Sequence, residues 1–113
     1  MQVTTENVNG IAVVTVGGDH LDASNVNDFK REMKTAIGAS IKVVLDIAAL
    51  KFVDSSGLGA ILSCLRQLNA SNGDLKLCNM SKQVRILFEL VRMHRILEVF
   101  NTRQEALAAF AKA

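Results

Sequence analysis

Phe52-Val53-Asp54-Ser55-Ser56-Gly57-Leu58-Gly59 is the stretch on which the fold turns. Upstream of it, with four residues between, Ile41-Lys42-Val43-Val44-Leu45-Asp46-Ile47 is a nearly continuous apolar run, the pattern of a strand buried on both faces as in a parallel sheet. Immediately after it, Leu58, Ile61, Leu62, Leu65 and Leu68 recur at the spacing of one helix face. Asp54, at the join, is placed to cap that helix, and Ser55, Ser56 and Gly57 would form its first turn. A buried strand leading through a capped turn into an amphipathic helix is the repeating unit of an α/β layer.

The flanks extend the same alternation. Towards the N-terminus, residues near Gln2 to Asn7 read as a weak strand. Asn9-Gly10 suits a type I′ hairpin turn, whose central positions need positive φ. Ile11 to Val16 is a β-branched strand, ended by Gly17-Gly18-Asp19. Asp22 or Ser24 can cap a helix in which Val26, Phe29, Met33 and Ile37 face inward, with Gly38 at its stop. Towards the C-terminus, Asn72-Gly73 ends the leucine-striped helix, and Leu75, Leu77 and Asn79 alternate with Lys76, Cys78 and Met80 as a strand. Ser81 caps a helix with Val84, Leu87, Phe88 and Val91 inward. Ile96 to Phe100 is a last short strand. Thr102 and Glu105 form a capping box that opens a helix through Ala106, Leu107 and Phe110. The order β-β-α-β-α-β-α-β-α predicts one α/β domain over residues 1–113. It would hold a mixed, mostly parallel sheet, an antiparallel hairpin at its start and about four helices packed against it.

Composition narrows the function classes. The 113 residues are half apolar, which argues against disorder. No apolar run approaches the roughly 18 residues that span a bilayer. The start of the chain has neither a basic nor an apolar leader region, so no signal peptide is expected. Thirteen basic against eleven acidic residues, with no Trp or Tyr, gives neither the basic field nor the stacking platforms of a nucleic-acid protein. Cys64 and Cys78 lie in apolar segments, outside any C-x-x-C pair or zinc-ligand spacing. They read as small buried hydrophobes in a reducing, cytoplasmic setting, with no metal implied.

The chemistry concentrates at the start of the central helix. The first N–H groups of a helix lack intrahelical partners, and together with the helix dipole they favour negative charge. A phosphoryl group on a serine there would add about −1.5 to −2 charges at pH 7 without opposing the helix. A partner surface matched to neutral hydroxyls would then meet a dianion beside the Asp54 carboxylate. Gly57 and Gly59 remove side chains from the first turns, which would let another backbone approach. Two other readings stand beside this one. Asp-Ser-Ser-Gly is also an ordinary helix cap. A catalytic serine is a second alternative, but there is no G-x-S-x-G elbow and neither His20 nor His94 sits in a recognisable base context. Gly17-Gly18 lacks a nucleotide-binding fingerprint.

Asp54-Ser55-Ser56-Gly57-Leu58-Gly59, between a strand and a helix, resembles the signature of STAS domains of the anti-sigma factor antagonist type. Gly18, Leu21 and Asp22, followed by Val26 and Phe29, resemble that family's segment after its second strand. Phe100, Thr102, Glu105, Ala106 and Leu107 resemble its C-terminal strand and helix. The resemblance spans essentially the whole chain. It implies a STAS fold and a binding module rather than an enzyme, with no cofactor. It also implies that Ser55 accepts phosphate from a GHKL-type anti-sigma kinase and loses it to a PP2C-type phosphatase. The unphosphorylated form would bind the kinase through a face holding Asp22, Asp54, Ser56, Gly57, Leu58 and Gly59. One departure is local: the family's Gly-x-Leu-Asp becomes Gly18-Asp19-His20-Leu21-Asp22, one residue longer. The same fold also serves as a cytoplasmic accessory subunit of lipid-trafficking ABC transporters and as a regulator of biofilm or chemotaxis output without a sigma factor. These are the competing expectations.

Lys82, Arg85, Arg92 and Arg95 fall on or near one side of the third helix. A solvated face opposite the apolar stripe is the plain reading, and contact with an acidic partner or lipid headgroups is the functional one. His94 sits beside these cations at the expected helix end, and His20 lies in the lengthened loop.

Overall fold

The computed structural model describes residues 1–111, so the last two residues of the expected 1–113 domain lie outside the described residues. Asn9 and Gly10 take positive φ values of 52° and 83°, so the chain reverses there. This turn joins β1 (Val3–Val8) to β2 (Ile11–Val16) in an antiparallel hairpin. Beyond β2 the chain forms a short β3 (His20–Leu21), α1 (Val26–Ile37), β4 (Lys42–Asp46) and a short β5 (Phe52–Val53). It continues as α2 (Ser55–Ala70), β6 (Asp74–Cys78), α3 (Lys82–Leu90), a 3-10 turn at Met93–Arg95, β7 (Glu98–Phe100) and α4 (Arg103–Ala111).

Among the described residues the main sheet has the order β1-β2-β4-β6-β7. The β2–β4, β4–β6 and β6–β7 pairs are parallel. The fold is therefore the single α/β domain expected, with a mixed, mostly parallel sheet and four helices. Strand alternation sorts the side chains onto two faces. Ala12, Val14, Val43, Leu45, Ile47, Leu75 and Leu77 meet α1, α2 and α3 through Phe29, Met33, Ile61, Leu65, Val84 and Phe88. Ile11, Val13, Val44 and Cys78 meet α4 through Ala106 and Phe110. Burial on both faces explains why the β4 run is almost unbroken in apolar residues.

Two polar groups are buried on the α4 side. Asp46, 6% exposed, accepts from Arg103 at 3.1 Å and Asn79 at 3.0 Å. Lys76, also 6% exposed, bonds Glu98 at 2.6 Å and Asp74 at 3.1 Å, and its ammonium lies 4.7 Å from the centre of the Phe110 ring. Neither charge is left unpaired in the interior, where an isolated ion would be strongly disfavoured.

Four sequence expectations differ in detail. The first helix is capped by neither Asp22 nor Ser24: it begins at Val26, and the side chain of Asn25 at its cap position makes no capping bond. Val91, expected inward, is exposed, because α3 ends at Leu90 and Arg92 adopts a left-handed φ of 62°. That reversal also takes Arg92 and Arg95 off the helix, with Arg95 in the 3-10 turn. The last strand begins at Glu98 rather than Ile96 for the same reason.

Candidate functional site

The α2 start is as the sequence implies. Asp54 is the N-cap, with extended backbone, and its Oδ1 accepts the Gly57 N–H at 2.9 Å. The first intrahelical bond runs from the Leu58 N–H to the Asp54 carbonyl. The N–H groups of Ser55 and Ser56 precede it, at the positive end of the helix dipole. Ser55 and Ser56 are exposed, Asp54 and Leu58 are half-buried, and Leu58 packs against the core.

What the sequence does not signal is the support beneath this turn. β3 and β5 pair in parallel, His20 opposite Phe52 and Leu21 opposite Val53, as a second sheet of two strands. The Lys51 N–H donates to the Asp19 carbonyl at 2.7 Å, and the Asp54 N–H to the Leu21 carbonyl at 3.2 Å. Leu21 and Val53 are fully inside. Gly57 then sits directly on this pair. A β-carbon on it would lie 2.5 Å from the Leu21 carbonyl oxygen and 2.8 Å from Cγ1 of Val53. The clearance expected for a partner's backbone at Gly57 is thus taken up by the chain's own backbone. Gly59 differs: it is exposed, and a β-carbon there would meet nothing within 4 Å.

The loop carrying Asp22 is fastened to the same point. The second carboxylate oxygen of Asp54 accepts the Ala23 N–H at 3.1 Å. Asn25 braces the loop from within: its Oδ1 accepts the Asp22 N–H at 3.0 Å and its Nδ2 donates to the His20 carbonyl at 2.9 Å. Asp22 in turn accepts from the Ser24 N–H at 2.9 Å and from the Ser24 hydroxyl. The hydroxyl bond holds the Asp22 carboxyl below the usual aspartate range. His20 Nδ1 lies 2.9 Å from Oδ1 of Asp19; this contact raises the imidazole pKa and lowers that of the carboxyl. Asp22 and Asp54 thus bring their carboxylates to the loop and helix turn that carry the exposed Ser55 and Ser56, whereas Asp19 lies at the far, Lys51 end of the β3–β5 pair. The residues named from the sequence for this face, Asp22, Asp54, Ser55, Ser56, Leu58 and Gly59, lie on one loop and one helix turn joined by the Asp54–Ala23 bond. Gly57 lies beneath them. Asn25 and the β3–β5 pair are additions from the structure.

Cys64 and Cys78 are both buried free thiols. Burial is the main cause that pushes the Cys78 thiol up to about 11, which keeps it protonated and unreactive.

A mixed sheet with this strand order, and an Asp-Ser-Ser-Gly helix start clasped to the preceding loop, define a small α/β domain. The chain belongs to the STAS domain family, which matches residues 2–106. BtrV of Bordetella bronchiseptica, named as a candidate anti-sigma factor antagonist, is 30% identical over 100% of this chain and 97% of its own. The anti-sigma F factor antagonist of Paenibacillus polymyxa is 28% identical, over 95% of this chain and 92% of its own. Among solved structures, the unphosphorylated anti-sigma factor antagonist SpoIIAA superposes with a TM-score of 0.78 at 28% identity, covering 99% of this chain and 98% of that one. SpoIIAA of Bacillus in its phosphorylated form gives 0.69 at the same 28% identity, covering 96% of this chain and 99% of that one. The chain is thus an anti-sigma factor antagonist-like STAS domain. Among the described residues no helix is long and apolar enough to cross a membrane.

Proposed function

We propose that this domain is a partner-switching antagonist whose Ser55 hydroxyl is the switch. Unphosphorylated, the face formed by Asp22, Ser55, Ser56, Leu58 and Gly59 docks an anti-sigma factor that is also a GHKL-type serine kinase. The kinase transfers the γ-phosphoryl group of ATP to Oγ of Ser55: the Oγ–P bond forms, the bond to ADP breaks, and the serine proton passes to a base on the kinase. A PP2C-type phosphatase reverses the state by hydrolysis. The domain itself is a binding module and contributes no catalytic group.

The observation that carries this reading is the exposed Ser55 at the positive end of α2, next to Asp54 and the Asp22 loop that Asp54 holds. The helix end can accept a dianion, so the fold survives the modification. The carboxylates make the face complementary to a basic partner surface, and the added charge then changes both fit and hydration there. A tenfold loss of affinity requires only about 1.4 kcal/mol. The two forms of SpoIIAA, each superposing on this chain, support a fold compatible with both states.

The test pairs binding with phosphate mapping. Incubation with the kinase and ATP should place phosphate on Ser55. Ser55→Ala should abolish labelling and keep binding, and Ser55→Asp should weaken binding by tenfold or more. Phosphate on another residue with Ser55 bare would overturn the assignment. Binding undiminished in both Ser55→Asp and the phosphorylated protein would refute the switch.

A further inference from the structure

The end of α3 presents an apolar tip that the core does not use. Ile86 and Leu90, one helical turn apart, project from the same side and are 58% and 77% exposed. Val91, at 47%, and Ile96, at 54%, are exposed on either side of the 3-10 turn that follows. The opposite side of α3 holds the buried Val84 and Phe88, and Met93 anchors the turn in the core. The outward side chains are therefore held out by a fixed backbone.

Charge gathers on the same segment. Residues 81–96 contain Lys82, Arg85, Arg92 and Arg95 against the single carboxylate Glu89, a net +3 where the whole chain is only +2. All of the net positive charge of the molecule thus lies where most of its exposed large apolar side chains lie. Lys82, Arg92 and Arg95 enter no ion pair among the described residues, and Arg85 bonds only the neutral side chain of Asn101, at 3.3 Å. Lys82 stands one turn before Ile86, while Arg92 and Arg95 flank Val91 and Ile96, so cations border the apolar tip at both ends.

We propose that this tip docks the domain on an anionic lipid surface. Apolar side chains ringed by unpaired cations match the two layers of such a surface: acyl chains below, anionic headgroups at the rim. Shape favours a bilayer over a folded acidic partner. The groove between α1 and α2, and the smaller hollow beside Phe110, are both lined by other residues. Neither hollow includes the tip, and a fluid interface needs no preformed socket. This surface is separate from the Ser55 face in sequence and stands independently of the switch.

Sedimentation with lipid vesicles tests it. The native chain should pellet with phosphatidylcholine vesicles carrying about 30 mol% phosphatidylglycerol, should stay in solution with phosphatidylcholine alone, and should be released by about 0.5 M salt. Arg92→Gln with Arg95→Gln should weaken binding by about 30-fold. Ile86→Ser with Leu90→Ser should weaken it even at low salt, where a purely electrostatic contact would persist. Circular dichroism should show both exposed-site variants folded; if one is not, the other and the salt dependence decide. A native chain that ignores anionic vesicles would overturn the proposal. So would binding unchanged in the folded variants, self-association lost in Ile86→Ser/Leu90→Ser while vesicles stay bare, or tighter capture by an acidic amphipathic peptide.

Discussion

Asp54 holds Ala23: its Oδ2 accepts the Ala23 N–H at 3.1 Å across 31 residues of chain, while its Oδ1 caps α2 at Gly57. One carboxylate thereby fixes both halves of the face around Ser55. A helix cap needs only one of these bonds, so the second ties loop to helix.

Substitution separates the two roles. Asp54→Ala removes both bonds and should cost about 1–2 kcal/mol, the range for a lost N-cap. Asp54→Asn should recover the capping bond through its amide oxygen but would turn a donor towards the Ala23 N–H. Urea unfolding should place Asn between wild type and Ala. Amide exchange at Ala23 should be faster in both variants. Full recovery of slow exchange in Asp54→Asn would refute the dual role.

Gly57→Ala tests the contact beneath. Its β-carbon would lie 2.5 Å from the backbone oxygen of Leu21, an atom that cannot rotate aside. A destabilisation of about 1–3 kcal/mol is expected, as for other overpacked interiors, with a lower melting temperature. Gly59→Ala, with open space around it, should match wild type or gain slightly in stability, since alanine is the better helix former. Equal melting temperatures for the two variants would remove the steric account.

Lys76 gives a pH signature. Burial pulls its pKa down, but the hydrogen bonds and charges of Glu98 and Asp74 outweigh that, so it titrates above the ordinary value of 10.5. The folded pKa therefore exceeds the unfolded one. The contribution is fully present below about pH 10.5 and lost as pH rises through the folded value. Urea unfolding should show wild type more stable than Lys76→Met by about 1 kcal/mol at pH 8, because both carboxylates stay partly hydrated. The gap should shrink above pH 10.5. A gap that widens there would show the sign to be wrong.

The limits of sequence reading follow from the range of each interaction. Strands β2, β4 and β6, the leucine stripe of α2 and the Asp54 cap are legible because each is set by periodicity or by residues three or four apart. The β3–β5 pair is not: two residues on each strand carry no period, and their bonds join positions more than 30 apart. The missing side chain of Gly57 is visible in the sequence, but whose backbone fills the space is not, since Leu21 is recruited through that same long-range pairing. Lys76 reads as the polar half of an alternating strand, yet α4 covers that face, and Glu98, Asp74 and the Phe110 and Phe100 rings make its burial tolerable. Val91 fits an inward period that the left-handed Arg92 cuts short.

The clasp around Asp22 and Asp54 is built largely from backbone amides and from side chains that point into the loop. The side chains of His20 and Ala23, and the bare Gly59, remain at the outer surface outside the five-stranded sheet. If this face docks the partner as proposed, sequence drift at those positions retunes recognition while the scaffold stays intact. On the partner-switching proposal, a cell running several such circuits in parallel would insulate each from its siblings by changing a handful of outward letters, with no new architecture.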